Sequence, residues 1–146
     1  MKRLALLDVN VLVALFDPDH VHHDAAHAWF GANRKGGWAT CPLTENGLVR
    51  ILSNAAYTGG HESPGRVVQM LERLCAGSGH VFWADEVSLR DRRLFRPDVA
   101  THRQVMDIYL LGLATRKAGI LATFDRAIPV ATVIGADRGH LEVIPA

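Results

Sequence analysis

The chain has 146 residues, of which 49% are hydrophobic and 21% are charged, and its formal net charge is +1. This composition excludes a disordered or fibrous chain, and the length predicts a single domain over residues 1–146. No apolar run approaches the roughly 20 residues that span a bilayer, and no signal-peptide cleavage site follows the basic start. We therefore expect a cytoplasmic protein that does not associate with membranes.

The N-terminal stretch sets the pattern for the rest of the chain. Residues 4–7 are an apolar run that predicts a short strand buried on both faces, and Asp8 follows it directly. The helical pattern that begins at Val9 has Asn10 as its expected cap. Asp8 is thus expected at the carboxyl end of a strand, and ligands bind at that edge in open α/β sheets.

Short strands and helices then alternate along the chain. The pattern predicts a helix over residues 23–32, a strand over 38–41, a loop over 55–64, a helix over 65–76 and a strand over 81–83. Pro42 should end the second strand, which leaves Thr44 to cap a helix that carries Glu45 in its first turn.

An arginine-rich segment leads into the longest predicted helix. Its members lie within fourteen residues and are Arg90, Arg92, Arg93, Arg96 and Arg103. We expect a short helix and an exposed loop here. The long helix, over residues 102–117, should be capped by Thr101 and terminated by Gly119, and it carries Asp107 in its early turns.

The C-terminal part completes the predicted sheet. Residues 120–123 predict an inner strand with Asp125 just beyond its end, and residues 141–144 predict an edge strand. Short apolar strands that alternate with helices of ten or more residues favour an α/β fold. We predict three layers, α/β/α, around a mostly parallel sheet of four to five strands.

Four acidic residues are expected at one edge of this sheet: Asp8, Glu45, Asp107 and Asp125. Carboxylates that converge without basic partners repel one another, so such a cluster is stable when it protonates or binds a cation. An all-oxygen ligand set suits Mg²⁺ or Mn²⁺ better than zinc. Taken singly, an acid near a helix N-terminus is more often a cap, and the metal interpretation depends on all four lying together.

The acids lie in four motifs that resemble those of a known family. The motifs are Leu6-Leu7-Asp8-Val9-Asn10-Val11-Leu12, Cys41-Pro42-Leu43-Thr44-Glu45-Asn46-Gly47, His102-Arg103-Gln104-Val105-Met106-Asp107-Ile108-Tyr109-Leu110 and Ala122-Thr123-Phe124-Asp125-Arg126. Their order and spacing are similar to those of the PIN-domain ribonucleases, and closely to the VapC toxins of type II toxin–antitoxin systems, particularly the subgroup abundant in mycobacteria. The resemblance covers nearly the whole chain.

The resemblance implies both a function and a site. Asp8, Glu45, Asp107 and Asp125 would be the catalytic, metal-binding acids, with Asn10 and Thr123 as neighbours that position water or a ligand. The protein would be an endoribonuclease toxin dependent on Mg²⁺ or Mn²⁺. It would cut RNA to halt translation, form a homodimer and be neutralised by a cognate VapB-type antitoxin.

The arginine-rich segment has two interpretations of equal weight. A run of charge is usually a solvated face, but this one directly precedes the Asp107 helix. The alternative assigns contact with RNA phosphates to Arg92, Arg93, Arg96 and Arg103.

Other functions and sites remain open on the sequence. A haloacid-dehalogenase-like phosphatase also begins with an aspartate after its first strand, but it needs a second aspartate where this chain has Asn10. A catalytically silent PIN-like module that binds RNA or protein is the non-enzymatic alternative. Cys41 and Cys75 lack metal-ligand spacing and are interpreted as buried thiols, and His23 and His27 as surface residues rather than a zinc clamp.

Overall fold

A five-stranded parallel sheet forms the centre of the computed structural model, which describes residues 3–57, 62–98 and 101–146. The strands are β1 (Ala5–Leu7), β2 (Trp38–Thr40), β3 (His80–Phe82), β4 (Ile120–Thr123) and β5 (Leu141–Val143). Their order across the sheet is β3-β2-β1-β4-β5, and each neighbouring pair is parallel. The predicted fold class is confirmed.

Within the described ranges, five α-helices connect and cover the strands. They are α1 (Val9–Phe16), α2 (His23–Asn33), α3 (Pro42–Leu52), α4 (Pro64–Cys75) and α5 (Val105–Arg116). Among the described residues, no helix is both long and apolar enough to cross a membrane. Part of the predicted loop over residues 55–64 lies outside the described residues, since residues 58–61 are not described.

Alternate residues of the central strands face two separate cores. Ala5 and Leu7 of β1 pack with α1, α2, α3 and α4, whereas Leu6 packs with α5 and the segment that follows β3. Both faces of β1 are therefore apolar and covered by helices, as expected for an inner strand of a parallel sheet. This arrangement gives the three layers that the sequence predicts.

Several predicted helix ends are wrong for local reasons. Asp8, not Asn10, caps α1, because its carboxylate accepts the Val9 N–H at 2.7 Å. Helix α3 already begins at Pro42, since proline fits the first helical position, and the Thr44 hydroxyl instead accepts the Cys41 N–H. Ala118, at φ 57°, takes the left-handed conformation beyond α5 that was expected of Gly119.

The arginine-rich segment differs from its prediction. Its described part is a series of turns without the expected short helix. The long helix predicted from residue 102 begins as α5 only at Val105, because His102–Gln104 form a 3-10 turn. The described part of the arginine-rich segment is nevertheless held at Phe95, which is 1% exposed and whose backbone pairs with that of Val133. The loop that carries the arginines is thus anchored to the core beneath it.

Gly112 makes this anchoring possible. It lies in the buried part of α5, and a Cβ atom there would overlap the Phe95 ring. Gly112→Ala should therefore lower the free energy of unfolding by about 1–3 kcal/mol, the usual cost of overpacking. Gly31→Ala is the matched control, because Gly31 lies in α2 and, apart from its own stretch of helix, no described residue comes within 4 Å of the added carbon. It should raise stability by about 0.5–1 kcal/mol. Urea denaturation compares the two variants, and equal effects would contradict the packing argument.

Candidate active site

The candidate site begins where the chain changes direction across the sheet. From β1 the chain proceeds to β2 and β3 on one side, whereas β4 and β5 lie on the other side of β1. The crevice between the carboxyl ends of β1 and β4 is therefore a topological switch point, the usual ligand position in such sheets. Asp8 follows β1 there and Asp125 follows β4.

The Thr123 hydroxyl joins the two carboxyl ends. It donates to Asp8 Oδ2 at 2.7 Å and accepts the Asp125 N–H at 3.0 Å. Asp8 Oδ1 accepts from Val9 N, and Asp125 Oδ1 accepts from Ala127 N at 2.8 Å. Both aspartates are thus held in fixed orientations by hydrogen bonds from neutral donors, which leave their negative charges uncompensated.

Asp107 brings a third carboxylate to the same place from the first turn of α5. Burial raises its pKa, as do the negative charges of Asp8 and Asp125 and a hydrogen bond to the Asp125 carboxyl, and together they bring it to about 7. Burial is also the main reason that the pKa of Asp8 is raised. Raised pKa values are expected where acids are buried together without a cation, because burial and mutual repulsion both disfavour the charged carboxylate.

These three aspartates line one open cleft of about 380 Å³. Its other lining residues include Asn10, His20, Gly47, Arg50 and Met106. Asn10 Oδ1 is buried and has no hydrogen-bond partner among the described residues. An unpartnered amide oxygen beside three carboxylates is a donor set suited to a hard divalent cation or to an ordered water at one.

The structure does not bring Glu45 to this cleft. Its carboxylate accepts the Thr40 hydroxyl at 2.6 Å, and the same hydroxyl oxygen lies 2.8 Å from His80 Nε2. Glu45, Cys75 and His80 have ligand atoms within 4.8 Å of one another. Residues of α3 that do line the aspartate cleft are Gly47, Arg50 and Ile51. Arg50 was missed by the sequence reasoning, although its spacing from Gly47 places both on one helical face.

The predicted RNA-binding arginines also lie outside the cleft. Arg92 and Arg93 line a separate open groove, and the Arg93 side chain is 94% exposed. Arg96 donates from Nε to the Ala131 carbonyl, and Arg103 is exposed on the 3-10 turn before α5. Their role in RNA binding stays a prediction.

Comparisons with known proteins show the family of this chain. The family model of the PIN domain matches residues 5–132. Ribonuclease VapC39 of Mycobacterium tuberculosis is 46% identical over 141 residues, which cover 96% of this chain and 99% of the relative. Ribonuclease VapC44 of the same species is 40% identical with the same coverage.

A solved structure shows the same fold. It is that of Mycobacterium tuberculosis VapC20, described as a toxin that cleaves the sarcin–ricin loop, with a TM-score of 0.58 and 13% identity. The alignment covers 90% of this chain and 98% of that one. A parallel sheet with aspartates at its switch point and a matching family model define a PIN domain. The chain belongs to the PIN-domain family and, within it, to the VapC ribonucleases.

The raised pKa of Asp107 predicts how the metal-free protein responds to pH. A free aspartate has a pKa of about 3.9, so between about pH 4 and pH 7 the folded state holds a proton that the unfolded state has lost. This contribution to stability is fully present below about pH 4 and is lost as the pH rises from there through about 7. Asp107→Asn removes it. In excess chelator, the melting temperature of Asp107→Asn relative to wild type should therefore increase from pH 5 to pH 8, whereas that of Asp19→Asn, an exposed control, should not. A constant difference for Asp107→Asn would contradict the assigned pKa.

Proposed function

We propose that this protein is a metal-dependent endoribonuclease toxin that cleaves cellular RNA and thereby inhibits translation. The observation that carries the proposal is the convergence of Asp8, Asp107 and Asp125 in one cleft at the switch point of the sheet. The 40–46% identity to proteins named ribonuclease VapC supports the same reaction class.

Mg²⁺ or Mn²⁺ is the metal that this cleft suits. Asp8, Asp107 and Asp125 would hold it, with Asn10 Oδ1 as a further oxygen donor. When bound, such an ion lowers the pKa of water and stabilises the negative charge that develops on a phosphoryl group. Glu45, predicted as a fourth ligand, has its carboxylate directed to Thr40 and is left out of this set.

The residues of the chain have distinct tasks in phosphodiester hydrolysis. Thr123 fixes the orientation of Asp8 and the backbone of Asp125, so the oxygen ligands are positioned before substrate arrives. Arg50 brings a guanidinium to the cleft and would contact a non-bridging oxygen of the scissile phosphate, where its charge offsets the repulsion between RNA and the aspartates. The arginine-rich segment would contact phosphates further along the strand.

Its partners follow from the same family membership. We infer that a cognate VapB-type antitoxin neutralises the toxin, that the protein acts as a homodimer, and that it works in the cytoplasm where its RNA substrates are. The support is the similarity to VapC ribonucleases over nearly the whole chain.

This chain lacks a group that the alternative enzyme class requires. A haloacid-dehalogenase-like phosphatase needs an acid two residues after its nucleophilic aspartate, and Asn10 cannot donate a proton as a carboxylic acid does. A silent binding module would have no need of three uncompensated acids, whose repulsion destabilises the fold. The observed cluster therefore favours the nuclease.

Asp8→Asn tests the proposal directly. Asparagine keeps the shape and can still accept the Val9 N–H, but it removes a charge that the metal needs, so we expect RNA cleavage to fall by at least about 100-fold with the fold preserved. Asp19→Asn is the matched control because Asp19 is exposed and outside the cleft. Cleavage of a labelled RNA with Mn²⁺, alongside circular dichroism, makes the measurement. An Asp8→Asn rate within about tenfold of wild type, a barrier change of only ~1.4 kcal/mol, would refute the assignment.

Salt dependence separates the roles of the arginines. In the Asp8→Asn background, replacement of Arg92, Arg93 and Arg96 by Ala should weaken RNA binding and flatten the plot of log affinity against log salt by about 2, as expected for three lost phosphate contacts. Replacement of exposed Lys35, Arg66 and Arg73, on the opposite face of the sheet, is the charge-matched control and should leave the slope unchanged.

Equal salt slopes for the two triple variants would show that the arginine-rich segment is a solvated face.

Arg50→Ala, made with Asp8 intact, should lower the cleavage rate more than it lowers RNA affinity, because Arg50 would contact the scissile phosphate. A cleavage rate unaffected by Arg50→Ala would remove Arg50 from the site.

A further inference from the structure

Glu45 has a setting that the nuclease reaction does not explain. It lies on the first turn of α3, Cys75 is the last residue of α4, and His80 begins β3. One carboxylate oxygen, one sulfur and one imidazole nitrogen come within 4.8 Å of one another here, and all three residues are partly exposed. These are the donor types of a zinc site, since thiolate and imidazole favour zinc over Mg²⁺ or Mn²⁺.

Thr40 supplies the outer support that such sites usually have. It is fully buried at the end of β2, and its single hydroxyl proton is donated to Glu45 at 2.6 Å. His80 Nε2 lies 2.8 Å from the same oxygen, so in the metal-free protein Nε2 carries the proton and donates to Thr40. Hydrogen bonds of this kind orient the ligands of a metal before it binds.

The chain geometry allows the three donors to close around one ion. Zinc–ligand bonds of about 2.0–2.3 Å place two ligands of a tetrahedron roughly 3.3–3.8 Å apart. Because no two donor atoms are more than 4.8 Å apart, the required contraction is at most about 1.5 Å, within the range of side-chain rotation of Glu45 on a partly exposed helix turn. Cys75 and His80 are joined by a four-residue turn that ends at Gly79, whose φ of 88° lets the chain reverse into β3.

We propose that Glu45, Cys75 and His80 form a zinc site separate from the aspartate cleft, with Thr40 as a positioning residue. The thiol proton of Cys75 passes to solvent when the metal binds, and water fills the remaining position. Such an ion ties the ends of α3 and α4 to the edge strand β3. Because α3 also carries Gly47 and Arg50, the zinc would fix the helix that forms one wall of the nuclease cleft.

Metal binding to the purified full-length chain tests the site without any nuclease assay. The metal-free protein is titrated with Zn²⁺ against a chromophoric chelator, and with Co²⁺, whose bond to a thiolate gives a charge-transfer band in the near ultraviolet. We expect one tight zinc per chain, a cobalt–thiolate band and a higher melting temperature with zinc. Glu45→Gln, which can still accept the Thr40 proton, and Cys75→Ser should each weaken zinc binding by about 100-fold or more, and Thr40→Val by about 10-fold.

Two controls make the outcome decisive. Cys41→Ala should keep the cobalt–thiolate band, since Cys41 belongs to the other core, and Asp8→Asn should keep zinc affinity within about threefold of wild type. Unchanged affinity in Glu45→Gln and Cys75→Ser, or wild-type binding no tighter than that of Cys75→Ser, would overturn the proposal. Loss of zinc binding in Asp8→Asn would overturn it as well, because the ion would then lie among the aspartates.

Discussion

Repulsion among three carboxylates is the constraint around which this protein is arranged. Asp8 is 4% exposed, and Asp107 and Asp125 share its cleft without an ion pair to any described cation. The fold opposes their separation in several ways. Asp8 caps α1, Asp125 is held by backbone donors, and Thr123 bridges the two. A cation that enters this cleft therefore meets ligands already in position, and the repulsion that it relieves adds to the energy of its binding.

The position of Asp8 directly after β1 explains how the fold can hold a carboxylate against that repulsion. Strand β1 lies between β2 and β4 with helices on both faces, and residues 5–7 of the strand are all buried. The N-terminus of α1, which follows at once, presents free N–H groups whose partial positive charge favours a carboxylate. His23 and His27 bind the carbonyls of Ala14 and Leu15 at the other end of this helix. Both ends of α1 are thus anchored, which fixes the position of the Asp8 carboxylate at its N-terminus.

The sequence was sufficient to predict the sheet and the meeting of three of the four acids at its edge. Strand β4 occupies the predicted residues, and Asp8, Asp107 and Asp125 meet as expected. Glu45 does not meet them, because nearness to a sheet edge does not determine which way a helical side chain points. At 100° per residue, Glu45 and Gly47 face nearly opposite sides of α3, and the rotation of that helix is set by packing that one sequence does not reveal. The same rotation of α3 directs Arg50 to the cleft, which the sequence did not predict, and places Glu45 beside Cys75 and His80.

The edge strand β3 has a consequence for the behaviour of the protein at high concentration. Two of its three side chains are apolar and in part exposed, Val81 at 38% and Phe82 at 54%. A long edge of this kind would serve as a template for another chain to add a strand. Here the edge is only three residues long, so an incoming strand would gain few backbone hydrogen bonds. Apolar surface can therefore remain exposed on this side of the sheet without providing a start for fibrous aggregation.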